Sequence, residues 1–367
     1  MKKVFMLVTL LIGLLVALIM AEIILRVVYR RLPPGDNWEP LVMCKNAWFN
    51  YKFMIPGKQT SMFTEDGQII ELKANSSGYR DSEWSSKQKR RILVLGDSFG
   101  WGWGSPADSM ITNQLAMAIP DASFFNLCIP GDDLYRQYSR YRYHVKEIDP
   151  EEIIILHYTN DFFNIDGQRK LLGEARQKGL YDTVRTGAMT CDVSLNDDNT
   201  VKKFIKELYV VKLLIRFNTA RSVPKDHGLK QGFQDDVTLL SDSLSVDKAF
   251  AFYAGLLEEI SKDRRVTMVY IPPIYQADES KRTEILKVFD NAVIRPELVN
   301  GKFRELAARN AGLRFVDLTD ILTQENRRSP VYFPYDAHLT GRGQAVAGRF
   351  LAQRLLEDRL QDTTIAR

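Results

Sequence analysis

Ser98 ends the tripeptide Gly96-Asp97-Ser98, directly after the apolar run Ile92-Leu93-Val94-Leu95. Far along the chain, Asp336-Ala337-His338 brings a carboxylate and an imidazole within two residues of each other. A serine hydroxyl is a poor nucleophile until a base removes its proton and a third group orients that base. These are the side chains that serine-dependent acyl chemistry requires. The spacing predicts Ser98 as nucleophile, His338 as base and Asp336 as its orienter. In an extended segment the two-residue separation would place Asp336 and His338 on one face. Ser98 would stand at the carboxyl end of a buried strand, where open α/β sheets build their sites.

An acyl transfer also needs N–H donors aimed where negative charge develops on the carbonyl oxygen, each worth about 3 kcal/mol. Three candidates follow three successive strand-like runs: the Ser98 backbone N–H, Gly131 after Ile129-Pro130, and the Asn160 side chain in Tyr158-Thr159-Asn160-Asp161. Plainer roles stand beside these. Ser98 suits a helix cap, Gly131 suits a simple turn in Pro130-Gly131-Asp132-Asp133, and Asn160-Asp161 suits the start of the next helix. Asp97 is expected to support the nucleophile loop through backbone hydrogen bonds, and Asp161 to cap. His144, His157 and His227 read as structural. No His/Asp/Glu group has metal-ligand spacing and no phosphate-binding loop occurs, so neither metal nor cofactor is expected.

The elements that must position these residues follow from the pattern. Arg91–Leu95, Ser123–Ile129, Glu152–His157, Val266–Ile271 and Leu313–Leu318 are short apolar or β-branched runs separated by helical patterns. That alternation predicts an α/β fold, a parallel sheet covered by helices on both faces. A last helix is expected over about Gly341 to Leu360. Between Asp161 and Val266 lie far more residues than one crossover needs, an insertion at about 162–265. Within it, Val201–Arg221 is apolar on one face and basic around the rest, suiting a packed helix, a lid or a helix resting on an anionic bilayer. Phe99-Gly100-Trp101-Gly102-Trp103-Gly104 offers either an aromatic platform for a sugar or acyl group or two indoles packed beneath a collar.

The ordered set Gly96-Asp97-Ser98-Phe99, Gly131, Asn160-Asp161 and Asp336-x-His338 resembles the SGNH, or GDSL-type, hydrolase superfamily. The likeness covers roughly residues 75–360, including the lead-in Asn75-Ser76-Ser77-Gly78-Tyr79-Arg80-Asp81, which is similar to membrane-anchored bacterial members. It implies a flavodoxin-like three-layer sandwich with a five-stranded parallel sheet of order 2-1-3-4-5. It also implies Ser98, His338 and Asp336 as catalytic residues, Ser98, Gly131 and Asn160 as the oxyanion hole, and an O-acetylated cell-surface carbohydrate as substrate. An O-acyltransferase and a catalytically silent glycan-binding envelope protein are the alternatives. Two positions depart from the pattern: Phe99 replaces the usual leucine, and Tyr158 stands where glycine is common.

The chain of 367 residues is long enough for a large core. A formal charge of +4 gives no reason to expect nucleic acid. Lys2 and Lys3 precede an apolar stretch from Val4 to Ala21, about the minimum for crossing a bilayer. Ile19 and Ala21 fit a signal-peptidase site only by half, so residues 1–31 are expected to form an uncleaved signal-anchor. The flanking charges nearly balance; an export-type start and a hydrolase head place the domain outside the cytoplasm, in the periplasm or at the cell surface. Residues 32–80 are then a linker and a strand-rich collar, 81–360 the hydrolase domain, and 361–367 a tail. The expected partners are an ester substrate, foremost an acylated glycan, and the membrane; protein partners are not specified. Of the three cysteines, Cys128 lies in an apolar run and reads as a buried inert thiol, while a Cys44–Cys191 disulfide is open in an oxidising compartment.

Overall fold

The computed structural model describes residues 2–29, 41–45, 50–65, 67–84, 90–181, 190–192, 204–205, 207–222, 225–290 and 292–365. The chain begins with helix α1, Lys2–Val28, whose residues are none of them buried. At 1.5 Å per residue it is about 40 Å long, and it is long and apolar enough to cross a membrane.

The collar follows. Strands β1 (Leu41–Lys45) and β2 (Asn50–Met54) pair antiparallel, as do β3 (Gln59–Phe63) and β4 (Ile69–Lys73). Alternation decides which side of β4 faces inward: Ile70 and Leu72 are buried while Ile69, Glu71 and Lys73 are exposed.

The sheet that carries the site has five parallel strands: β5 (Arg90–Gly96), β6 (Ala122–Asn126), β7 (Glu152–His157), β9 (Arg265–Tyr270) and β10 (Leu313–Asp317). Their spatial order is β10-β9-β7-β5-β6, which is 2-1-3-4-5 counted along the chain. The centres of the inner strands are apolar because helices cover both faces: every residue of β7 is buried, as are Ile92–Gly96 of β5. From β5 the chain crosses to β6 on one side and then back past β5 to β7 on the other. Right-handed crossovers therefore put the intervening helices on opposite faces. Helix α3 (Ile111–Ala118) packs against the last helix, while α4 (Leu134–Ile148) packs against α5 (Ile165–Gln177). The turn where order reverses, between β5 and β7, is where such sheets bind ligands.

The insertion contains α5, the short strand β8 (Thr190–Asp192), α6 (Tyr209–Ser222), α7 (Lys225–Leu240) and α8 (Ser243–Ser261). β8 pairs antiparallel with β1 of the collar. Of the basic helix expected over Val201–Arg221, Phe204 and Ile205 are helical, residues 201–203 and 206 lie outside the described residues, and after a turn at Glu207 and Leu208 comes α6. Its start is fixed by α1, since both carboxylate oxygens of Glu22 accept from it, Tyr209 N–H at 3.0 Å and Val210 N–H at 3.0 Å. A carboxylate there satisfies N–H groups that have no partner inside the helix. Beyond β9 come α9 (Ile274–Ala277), α10 (Glu279–Val288) and α11 (Glu297–Arg309); β10 then leads to α12 (Thr319–Arg328) and α13 (Gly341–Ile365). α13 runs past Leu360 into the segment read as a tail.

Candidate active site

Strand β5 ends at Gly96 and turns at once into the one-turn helix α2, Ser98–Trp101. Asp97 caps it: its carboxylate accepts the Phe99 N–H at 2.9 Å, as a short polar side chain at an N-cap does. Ser98 is therefore the first helical residue, and its N–H has no partner within the helix. Its Oγ lies 2.7 Å from Nε2 of His338, and His338 Nδ1 hydrogen-bonds Asp336 Oδ1. The structure thus brings the three residues predicted for acyl chemistry into one relay, although Ser98 and His338 are 240 positions apart.

The relay's backbone differs from the expected extended segment. Ala337 has φ +63, a left-handed conformation that L-residues adopt at a cost. The kink, rather than strand alternation, brings the Asp336 carboxylate back to the imidazole. Phe333 N–H and His338 C=O close the turn at 2.8 Å.

Two carboxylates set the electrostatics. Burial works against charge on His338, but Asp336 beside it, with Asp97 behind, outweighs burial and raises its pKa above 6.5. For Asp336, burial pushes upward, but the His338 charge and the hydrogen bonds from His338 and Trp103 dominate and hold its pKa below 3.8. Asp97 is fully buried and is pushed up to about 6 by burial and the nearby Asp161.

The candidate oxyanion donors sit on three adjacent strand ends. Ile129-Pro130-Gly131-Asp132 is a turn closed by Asp132 N–H to Ile129 C=O at 3.1 Å, with Gly131 at φ +79. Positive φ at the third position makes it a type II turn and explains the glycine. A Cβ there would meet nothing within 4 Å, so the space beside this backbone is open. The turn is held by a buried ion pair, Arg140 Nε to Asp132 Oδ2 at 2.5 Å. Asn160 Nδ2 donates to Asp97 Oδ2 at 2.7 Å, which leaves its second N–H for a ligand. Asp161 does cap its 3-10 turn, and it also takes part in a buried network. It accepts from Gln137 at 2.7 Å and pairs with His157 Nδ1 at 3.0 Å. Burial lowers the His157 pKa to about 3, so that imidazole is neutral.

Four supporting residues make contacts that are invisible to local sequence reading. Trp103 Nε1 donates to the second Asp336 oxygen at 3.1 Å. Both indoles are buried, Trp101 at 1% and Trp103 at 7% exposure, which excludes the open platform and leaves the packing role. From the collar, Arg80 donates to Gly102 C=O at 2.6 Å and Ser105 C=O at 2.6 Å, and its guanidinium lies 4.8 Å from the Trp101 ring centre. Burial alone brings the Arg80 pKa down to about 9. Glu65, also from the collar, accepts the Tyr335 N–H at 3.0 Å and the Asp336 N–H at 2.7 Å. One collar residue thus grips the loop after the nucleophile and another grips the loop of the base. The last helix joins in, with Gln344 Nε2 donating to Phe99 C=O at 2.7 Å.

Phe99 and Tyr158, the two positions that depart from the pattern of the resemblance, pack on each other. Phe99 stacks on Tyr158 with ring centres 4.1 Å apart, and Phe99 lies 4.8 Å from the His338 ring. Tyr158 is buried at 6% exposure and fills the side of the site behind the nucleophile helix.

No family model and no curated protein matches the chain. Among solved structures, it is similar to an acetylxylan esterase from Geobacillus stearothermophilus (TM-score 0.39, 11% identity, covering 72% of this chain and 93% of that one). It is similar also to a member of the lipolytic G-D-S-L family from Veillonella parvula (TM-score 0.36, 13% identity, 71% and 96%). A third is the lipase/acylhydrolase from Enterococcus faecalis (TM-score 0.37, 14% identity, 72% and 95%). The chemistry ascribed to this chain below rests on its own side chains.

Proposed function

We propose that the protein is a serine-dependent acyl ester hydrolase, anchored by α1 with its catalytic domain outside the cytoplasm. The observation that carries this reading is the unbroken relay Ser98–His338–Asp336 at the carboxyl end of β5, with Nε2 of the imidazole 2.7 Å from Oγ. Ser98 Oγ attacks the ester carbonyl while His338 takes its proton. The Ser98 and Gly131 backbone N–H groups and the Asn160 amide receive the oxyanion. His338 then returns the proton to the leaving alcohol, and water, deprotonated by the same imidazole, releases the acid from Ser98. Asp336 fixes the imidazole tautomer and steadies its charge. Asp161 positions its neighbours, while Asp97 holds Phe99 N–H and Asn160 in place and lies 3.5 Å from Ser98 Oγ through its Oδ2.

The aromatic filling beside Ser98 supports a short acyl group, acetyl foremost. The open space at Gly131 supports a bulky alcohol portion such as an O-acetylated cell-surface carbohydrate. The full chain in detergent, given a chromogenic aryl acetate, should turn it over and should carry an acetyl mass on Ser98 when quenched early. Ser98→Ala should abolish both signals. Turnover that survives Ser98→Ala, or no labelling of Ser98 by a serine-reactive phosphonate, would overturn the reading.

A further inference from the structure

We propose that Cys44 and Cys191 are joined by a disulfide that staples the insertion to the collar. In the antiparallel ladder of β1 and β8, Cys44 stands directly opposite Cys191, flanked by Met43 opposite Asp192 and Lys45 opposite Thr190. Directly opposed residues in such a ladder have Cα atoms about 4.5 to 5.5 Å apart. That separation falls inside the roughly 4.4 to 6.8 Å that a disulfide spans. The backbone register alone thus sets the two positions within the span of a disulfide.

The third cysteine offers no competing partner. Cys128 is 1% exposed in the core beside the nucleophile strand. Burial pushes its thiol well above 9, and a buried thiol without thiolate character is inert to exchange.

The chemistry balances with an external oxidant. A Cys44 or Cys191 thiolate attacks the disulfide of a thiol–disulfide oxidoreductase, giving a mixed disulfide, and the second thiolate displaces that enzyme's sulfur. One S–S bond forms in this chain, and the two protons and two electrons its thiols lose pass to the oxidoreductase, whose disulfide becomes a dithiol. Such an oxidant acts outside the cytoplasm, so the native bond rests on the location proposed above, whereas the pairing rests on the strand register alone.

The bond would enclose the stretch of chain holding Ser98, Gly131 and Asn160. It would restrict the unfolded chain most where the site is assembled. It would also hold β8, a three-residue strand, to the collar that supports both halves of the relay.

Two measurements on the full chain separate the pairing from the location. Cells are quenched in acid and free thiols alkylated before any reduction; peptides are then mapped by mass spectrometry. The expected result is a Cys44–Cys191 cross-linked peptide, present in Cys128→Ala and lost in Cys44→Ser and in Cys191→Ser. In parallel, chain purified in detergent and fully reduced is incubated with oxidised glutathione; the same intramolecular link should return. Thiols free in cells but linked by glutathione would overturn the native bond together with the extracytoplasmic location. No intramolecular link with glutathione, or a link to Cys128, would overturn the pairing and leave the location standing.

Discussion

The indole N–H of Trp103 donates to Oδ2 of Asp336 across 3.1 Å, on the carboxylate whose other oxygen holds His338. The carboxylate is thereby bound at both oxygens and cannot rotate away from the imidazole. Trp103→Phe keeps the ring packing but removes the donor. A hydrogen bond to a charged group is worth about 1.5 to 3 kcal/mol. Ester hydrolysis should fall roughly ten- to a hundredfold in kcat with KM little changed, and the melting temperature should drop by a few degrees. Steady-state kinetics on an aryl acetate reads this directly, and an unaltered kcat would remove Trp103 from the relay.

Glu65 reaches from the collar to a loop 271 positions away, accepting the Asp336 N–H at 2.7 Å. Glu65→Ala leaves the Tyr335 and Asp336 N–H groups without this acceptor and loosens the turn that holds Ala337 at positive φ. The expected loss is roughly tenfold or more in kcat, with a smaller loss in Glu65→Gln, whose amide oxygen still accepts one N–H. Equal activity in all three proteins would show that the collar contacts the loop without positioning it.

The pH profile follows from the relay's charges. Burial opposes charge on His338, but the Asp336 and Asp97 carboxylates raise its pKa above 6.5. Only the neutral imidazole can take the Ser98 proton, so kcat/KM should fall as pH drops through that raised pKa, with the acid midpoint above 6.5. Asp336→Asn removes the strongest raising charge. The midpoint should then move to lower pH while the rate drops by about four orders of magnitude, as the imidazole loses its orienter. A wild-type midpoint below 6.5 would contradict the geometry.

What local sequence could reveal is what local physics decides. The five strands were legible because strands buried between helices spell apolar or β-branched runs, Ile153-Ile154-Ile155-Leu156 most plainly. Ser98, Gly131 and Asn160 were legible because each follows such a run directly. Glu65 and Gln344 were not: each acts on backbone groups far along the chain, and nothing around them marks their targets; Arg80 stood in the lead-in, but its targets were equally unmarked. The bend at Ala337 was missed for a related reason. Asp-x-His fits an extended segment equally well, and only the closing of the Phe333–His338 turn selects the left-handed one.

Gly100 offers a test of how tightly the nucleophile helix is seated. A Cβ at this position would lie 2.9 Å from Leu156 Cδ1, 3.1 Å from Cys128 Cβ, and in collision with Cys128 Sγ. Leu156 belongs to β7 and Cys128 to the segment after β6, so the glycine lets α2 rest on both neighbouring strand ends. Gly100→Ala must push the helix outward, at about 1 to 3 kcal/mol for overpacking. Displacing Ser98 by even about 1 Å can cost roughly a hundredfold in rate. The variant should therefore melt earlier and lose far more activity than stability. Adding Cys128→Ala removes Sγ, the severest of the three clashes, and should restore part of both. A double variant no better than Gly100→Ala would locate the damage elsewhere, in the turn from β5 into Ser98 itself.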